Sequence, residues 1–272
     1  MAATTQIKTL SIIIPVYNEV RTICNVIARV EVADVHGLGR EIIVVDDAST
    51  DGTREALEPV GRSGRAHVIR RPANRGKGAA VRAGLDRATG ELMIIQDADL
   101  ELDPADYRKL LAPFLEDPST QVVFGSRFLE GQQGGRSMTL LANQLLTGLT
   151  NLLYGAAITD METGYKLCRT DVLKALDLKS DRFEIEPEIT SKLLRRGYTI
   201  REVAVSYRPR TRREGKTINW KDGLRAVLTL VRWRVAGVPG GHHVAPAQDP
   251  AEGASGAAQA GATATEGTPV RK

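Results

Sequence analysis

Two carboxylates one residue apart, Asp97 and Asp99, close the apolar run Glu91-Leu-Met-Ile-Ile-Gln96. Such a run reads as a buried strand, and paired acids at a strand end pack poorly against a core. They suit a hard divalent cation, which takes oxygen ligands, keeps several waters and shares one or two carboxylates with substrate phosphates. An isolated Asp-x-Asp is also a common solvated turn, so its neighbours decide its weight. Two more polar clusters end apolar runs, Pro15-Val16-Tyr17-Asn18-Glu19 and Asp46-Asp47-Ala48-Ser49. Each alone could be a turn or a helix cap. Three at one edge read as one site.

The elements that must hold these clusters follow from periodicity. Strands are expected at Leu10–Val16, Glu41–Asp46, Ala66–Arg70 and Glu91–Gln96. Helices are expected at Glu19–Val35, Asp51–Val60 and Lys77–Thr89. Continuous Ile/Val runs alternating with helices predict a mostly parallel α/β sheet covered on both faces. Ligands of such sheets bind beyond the carboxyl ends of the strands. The second half is less regular. Helices are expected from Asp103 to Glu116, Arg136 to Tyr154, Asp171 to Leu178, Pro187 to Arg196 and Asn219 to Val235. Strands are expected at Gln121–Gly125, Gly164–Arg169 and Tyr198–Tyr207. The expected organisation is an extension over 1–9 and one domain over 10–238. Residues 10–103, which carry the three strand-end clusters, and 104–238 form its two halves. Residues 239–272, rich in Ala, Gly, Thr and Pro, form a tail whose composition predicts disorder.

The chain has 272 residues and a formal charge of +4, a balance that suits an anionic small ligand. A nucleic-acid partner would call for a denser basic stripe, and none is expected. Cys24 and Cys168 form no C-x-x-C pair and read as buried free thiols of a reducing compartment. Met1–Thr9 lacks an apolar signal core. The best spanning candidate, 138–158, carries Asn143, Gln144, Thr147, Thr150 and Asn151, too polar for simple insertion.

The clusters, with Asn-Arg-Gly-Lys-Gly at 74–78, Gly125-Ser126-Arg127, Asp160 with Thr163-Gly164-Tyr165-Lys166, Phe183-Glu184-Ile185-Glu186, and Arg210 with Glu214-Gly215-Lys216, appear in a fixed order. In that order the chain resembles the family 2 glycosyltransferases of GT-A fold, and within them the polyprenyl (dolichyl) phosphate sugar synthases. The resemblance covers roughly residues 10 to 235. It implies a hexosyltransferase that takes a nucleotide diphosphate sugar as donor, polyprenyl phosphate as acceptor and Mg²⁺ or Mn²⁺ as cofactor. It also implies inversion at the anomeric carbon.

The resemblance implies a role for each residue. Pro15, Tyr17, Glu19, Val45, Asp47, Lys77, Asp97 and Ala98 would line the donor nucleotide, with Asp47 at the base or ribose. Asp97 and Asp99 would hold the metal, Asp99 more firmly, and Glu101 is a third candidate ligand. Arg127, Arg210 and Lys216 would hold phosphates; arginine's planar fork and lysine's mobile charge both suit them. The basic 208–216 loop could close as a lid. Arg136 reads equally as an acceptor-phosphate contact or as helix-surface charge. Asp46 and Asp51 read as turn and cap residues. Asn74–Gly78 lacks Walker A spacing; its glycines are expected to bring a helix N-terminus close to the donor.

The acceptor decides what else is needed. A hydroxyl must lose a proton to a general base, whereas a phosphate monoester is already anionic near neutrality. Glu184, Glu186 and Glu188 could each be a base or merely favourable acids at a helix start. Glu186 is expected at the site floor. Two rivals therefore stand beside lipid-phosphate transfer: the same fold acting on a hydroxyl, and a non-catalytic nucleotide-sugar-binding module. For the donor, the 74–78 and 164–166 runs resemble glucosyl-type synthases and the Arg210…Lys216 spacing the mannosyl type, with a lean toward a UDP-sugar. A lipid acceptor implies peripheral contact at the inner face of the cytoplasmic membrane. The Arg136–Tyr154 and Asn219–Val235 helices, the second basic and Trp-bearing, are the candidate contacts.

Overall fold

The structure is a computed structural model that describes residues 6–130, 138–210 and 220–236. Lys216, Arg136, most of the basic loop and the 239–272 tail lie outside the described residues. Seven strands form one sheet in the order β3-β2-β1-β4-β6-β5-β7. They are β1 (Thr9–Val16), β2 (Gly39–Asp46), β3 (His67–Arg70), β4 (Leu92–Ile95), β5 (Val122–Ser126), β6 (Lys166–Arg169) and β7 (Arg201–Ala204). Pairings among β3, β2, β1 and β4 are parallel. β6 runs antiparallel between β4 and β5 and joins the two halves of the sheet.

The Ile12-Ile13-Ile14 run of β1 is wholly buried because alternate residues face opposite layers. Ile12 and Ile14 pack with α1 (Ile23–Val32), α2 (Thr53–Arg62) and α4 (Tyr107–Glu116). Ile13 packs with α3 (Lys77–Arg87), α6 (Thr170–Ala175) and α7 (Ile185–Arg195). A third small cluster lies under α5 (Met138–Tyr154) and α8 (Trp220–Val235).

The departures from expectation have local causes. The first helix begins at Ile23, not Glu19, because Asn18 adopts φ 55° and the carbonyl of Glu19 takes the Thr22 and Ile23 N–H groups in a turn. The Asp103 helix starts with a short 3-10 turn, Pro104–Asp106, whose N-terminus the Asp103 side chain caps. The last strand shortens to Arg201–Ala204, and Tyr207 keeps only an isolated bridge to Leu102. Cys168 is buried, but Cys24 is exposed, with its thiol toward the Ala56 carbonyl of α2, contrary to the expectation of two buried thiols.

Candidate active site

β2, β1 and β4 are adjacent and parallel, so their carboxyl ends meet at one edge of the sheet. That edge brings together Pro15–Glu19, Asp46–Ser49 and Asp97–Asp99, as their positions in sequence require.

Asp97 sits on a buried polar pedestal. The preceding residue, Gln96, accepts hydrogen bonds from the Tyr107 and Tyr165 hydroxyls (2.7 and 2.8 Å) and donates to the Asp97 carbonyl. The Asp97 carboxylate meets Lys77 Nζ at 2.6 Å, and Lys77 meets Glu186 at 2.9 Å. Glu186 in turn meets Lys166 at 2.6 Å. Lys166 is fully buried, with its remaining donors on the Met161 and Thr163 carbonyls. Four charges thus alternate in sign from β4 through α3 and α7 to β6. Burial pushes Glu186 up, but Lys166 and Lys77 outweigh it and hold the carboxyl below its usual range.

Asp99 faces the other way. Its carboxylate takes the Glu101 N–H and meets Arg210 at 3.0 Å. The same guanidinium reaches Glu19 at 2.9 Å, so Arg210 spans the ends of β1 and β4. Glu101, a candidate ligand, instead takes the Arg210 backbone N–H at 2.8 Å and the Tyr207 hydroxyl at 3.2 Å, and so anchors the 207–210 segment. Among the described residues no three His, Cys, Asp or Glu groups converge on one point.

The chemistry of this donor set still fits a divalent ion. Asp97 and Asp99 offer oxygen alone, and their side chains keep 25% and 19% of their exposure. Both carboxyls are pushed up by burial, with Glu186 and Asp99 adding to it at Asp97, and Glu101 adding to it at Asp99. They lack compensating positive charge even beside Lys77 and Arg210. An ion with two protein carboxylates would complete its shell from water and phosphate.

Other candidates are placed less simply. Asp47 is buried and takes the N–H groups of Arg75 and Gly76 and the Arg71 guanidinium, so much of its capacity supports the 71–76 segment. The glycines of that segment serve packing. A Cβ at Gly76 would lie 2.7 Å from the Asp181 carbonyl, and one at Gly78 would strike the Ser180 carbonyl. Arg127 is buried and forks onto Asp160 through two 2.7 Å bonds, with the Tyr207 ring 5.1 Å from its guanidinium. Tyr17 is exposed at the β1 exit, whereas Pro15, Val45 and Ala98 are buried beneath the edge. Asp46 takes the Ser49 N–H and pairs with Arg54; Asp51 takes the Thr53 N–H in a turn one residue before the helix N-cap, which is Gly52 and not the expected Asp51. Glu188 is locked by Lys192 and the Lys179 and Ser180 N–H groups.

Sequence reasoning missed Gln96, Tyr107 and Lys166 as supports of Asp97, and it missed Glu162, whose buried Oε1 takes no hydrogen bond among the described residues. A lysine at a strand start in a motif beside a helix-start glutamate was the one available signal for the Lys166–Glu186 pair.

Residues 11–177 match Glycosyl transferase family 2. The chain is 30% identical to dolichol-phosphate mannosyltransferase of Pyrococcus furiosus, over 82% of its own length and 64% of that protein, so it spans under two thirds of that relative. It is 27% identical to polyprenol monophosphomannose synthase of Mycolicibacterium smegmatis, over 83% of its length and 87% of the relative. Its fold superposes with TM-score 0.65 and 25% identity on glucosyl-3-phosphoglycerate synthase from Mycobacterium tuberculosis, solved with Mn²⁺, UDP and glucosyl-3-phosphoglycerate, over 83% of this chain and 80% of that one. With its strand-edge clusters, GT-A architecture and family match in agreement, the chain belongs to glycosyl transferase family 2 and is a glycosyltransferase.

Proposed function

We propose that the protein transfers a hexose from a nucleotide diphosphate sugar, UDP-glucose-like or GDP-mannose, to polyprenyl phosphate in a reaction that uses Mg²⁺ or Mn²⁺. The observation that carries the lipid acceptor is a pair of apolar stripes. α5 and α8 pack on each other. α5 exposes Leu141, Leu145 and Leu152, and α8 exposes Leu224, Leu228, Val231 and Val235. Both sets follow helical spacing along one face, and Arg225, Arg232 and Arg234 flank the second. Aliphatic stripes beside arginines suit a lipid headgroup boundary. Trp233 is not part of that face: it is buried, with its ring 3.9 Å from Lys192 Nζ. Among the described residues no helix is long and apolar enough to cross a membrane.

The state of Glu186 supports a phosphate acceptor. A carboxylate held by two ammonium groups and pulled down in pKa is a poor proton acceptor. A lipid phosphate needs none, only positioning and charge shielding. Asp97 and Asp99 would hold the divalent ion, whose contribution is to offset charge on the departing nucleotide diphosphate. Arg210 lies at the same edge, beside Asp99 and Glu19, and would meet a diphosphate once Asp99 is otherwise neutralised. Lys77 orients Asp97 from α3 through their 2.6 Å ion pair. A second reading, transfer to a hydroxyl of a small phosphorylated acceptor, is favoured by the likeness to glucosyl-3-phosphoglycerate synthase.

The test is a donor screen. UDP-glucose, UDP-N-acetylglucosamine and GDP-mannose are each incubated with a short polyprenyl phosphate, with and without Mg²⁺, using wild type and Asp99→Ala. One donor should give a lipid-linked sugar that the variant and chelation each abolish. Near-normal transfer by Asp99→Ala would overturn the metal-ligand role.

A further inference from the structure

The loop between Ile158 and β6 runs from Arg127 to the Asp-x-Asp. At one end Asp160 grips Arg127. At the other, Gly164 lies directly against the Asp97 carboxylate, so close that a Cβ there would strike its Oδ2. Between them the Met161 and Thr163 carbonyls both bind the Lys166 ammonium, which curls the loop around a fixed charge. Glu162 sits at the middle of this curl. It is partly exposed, and its Oε1 is buried without a hydrogen-bond partner among the described residues.

Among the described residues, the other charges around it are paired. Arg127 is balanced by Asp160, and Lys77 and Lys166 by Asp97 and Glu186. Glu162 has no such match. Burial pushes its carboxyl up to about 7, with Glu186 and Asp160 reinforcing the shift and Lys166 and Arg127 opposing it. Buried polar atoms in folded proteins nearly always find partners, and an unsatisfied one calls for an explanation. A ligand is the fitting one here, because the loop is held at both ends by groups of the site. The carboxylate form calls for a ligand that donates a hydrogen bond. A phosphate dianion would be repelled, whereas a hydroxyl fits, and hydroxyls at this edge belong to a sugar.

We infer that Glu162 is a donor-specificity residue whose carboxyl takes a hydrogen bond from a hydroxyl of the transferred hexose. The inference rests on the nucleotide-sugar donor of the proposed function and not on the lipid acceptor. It therefore stands or falls on donor binding alone.

Calorimetric titration with Mg²⁺ tests it. The ligands are UDP, UDP-glucose, GDP and GDP-mannose, followed by deoxy-hexose analogues of whichever sugar nucleotide binds. Hydrogen bonds to charged groups contribute about 1.5–3 kcal/mol, or about 10- to 100-fold in affinity. Glu162→Ala should weaken the sugar nucleotide about tenfold or more while leaving the nucleoside diphosphate within about twofold. One deoxy analogue should bind wild type about tenfold more weakly than the parent sugar, and that penalty should vanish in Glu162→Ala. Glu162→Gln, which keeps an acceptor oxygen and the shape, should retain most of the affinity and guards against loss of fold. Equal weakening of diphosphate and sugar nucleotide would overturn the inference. So would unchanged donor affinity with about 100-fold slower transfer to a hydroxyl acceptor, which would make Glu162 a general base.

Discussion

Lys166 and Glu186 meet at 2.6 Å with almost no solvent, a pairing supported by the Met161 and Thr163 carbonyls on the lysine and by the Lys77 ammonium beside the second carboxylate oxygen. Breaking a buried pair leaves an uncompensated charge and is costly, so this chain of charges fixes the floor under Asp97. Glu162, a few residues along the same loop, lacks that compensation, and its carboxyl is pushed from 4.5 to about 7 by burial and by neighbouring acids. The sign of its effect follows: the folded state binds its proton more tightly than the unfolded chain. Its contribution to stability is therefore full below pH 4.5 and lost as pH rises through about 7. Glu162→Gln escapes that loss. Its melting temperature should exceed wild type by about 2–4 °C at pH 8, on the scale of roughly 1 kcal/mol for a chain of this size, and should match it at pH 4.5. Melting curves at the two pH values check this; an equal difference at both would contradict it.

The elements that position the site were largely legible because the chemistry sits at strand ends. The Ile run of β1, the Ile-Ile-Val-Val run of β2 and the Leu-Met-Ile-Ile run of β4 are buried, so composition alone marked them. Their shared edge followed from the parallel topology. The supports were not legible, because they join distant segments. Gln96 is tied to Tyr107 and Tyr165, and Glu101 to Arg210, by bonds whose sequence separations carry no period. The 74–78 glycines illustrate the limit: the sequence predicts close approach there, and the close neighbour is the 180–182 backbone. Gly164 is the counterpart beside the Asp97 carboxylate. Gly164→Ala should keep the fold but displace the Asp97 carboxylate, weakening Mg²⁺-dependent donor binding by about tenfold or more, a loss of roughly 1.4 kcal/mol. Donor titrations with and without Mg²⁺ measure it, and unchanged metal dependence would contradict the placement of Asp97.

At the scale of the molecule, α5 and α8 separate an inner from an outer face. Leu140, Ala226, Leu230 and Trp233 turn inward, while Leu145 and Leu152 keep 69% and 81% of their exposure. The sequence marked both helices as amphipathic but could not tell which residues face the core, since each helix carries apolar residues on more than one side. The Leu145→Gln/Leu228→Gln pair removes outward aliphatic surface alone. It should reduce sedimentation with anionic lipid vesicles several-fold and leave the melting temperature within about 2 °C, as surface changes usually do. Vesicle binding equal to wild type would remove the membrane role of this face. The central claim concerns the acceptor, and one competition assay addresses it most directly. A labelled sugar nucleotide with Mg²⁺ is offered a short polyprenyl phosphate and 3-phosphoglycerate together, and the label is partitioned between organic and aqueous phases. The account predicts label on the polyprenyl phosphate in the organic phase; label confined to glycosylated phosphoglycerate in the aqueous phase would contradict it.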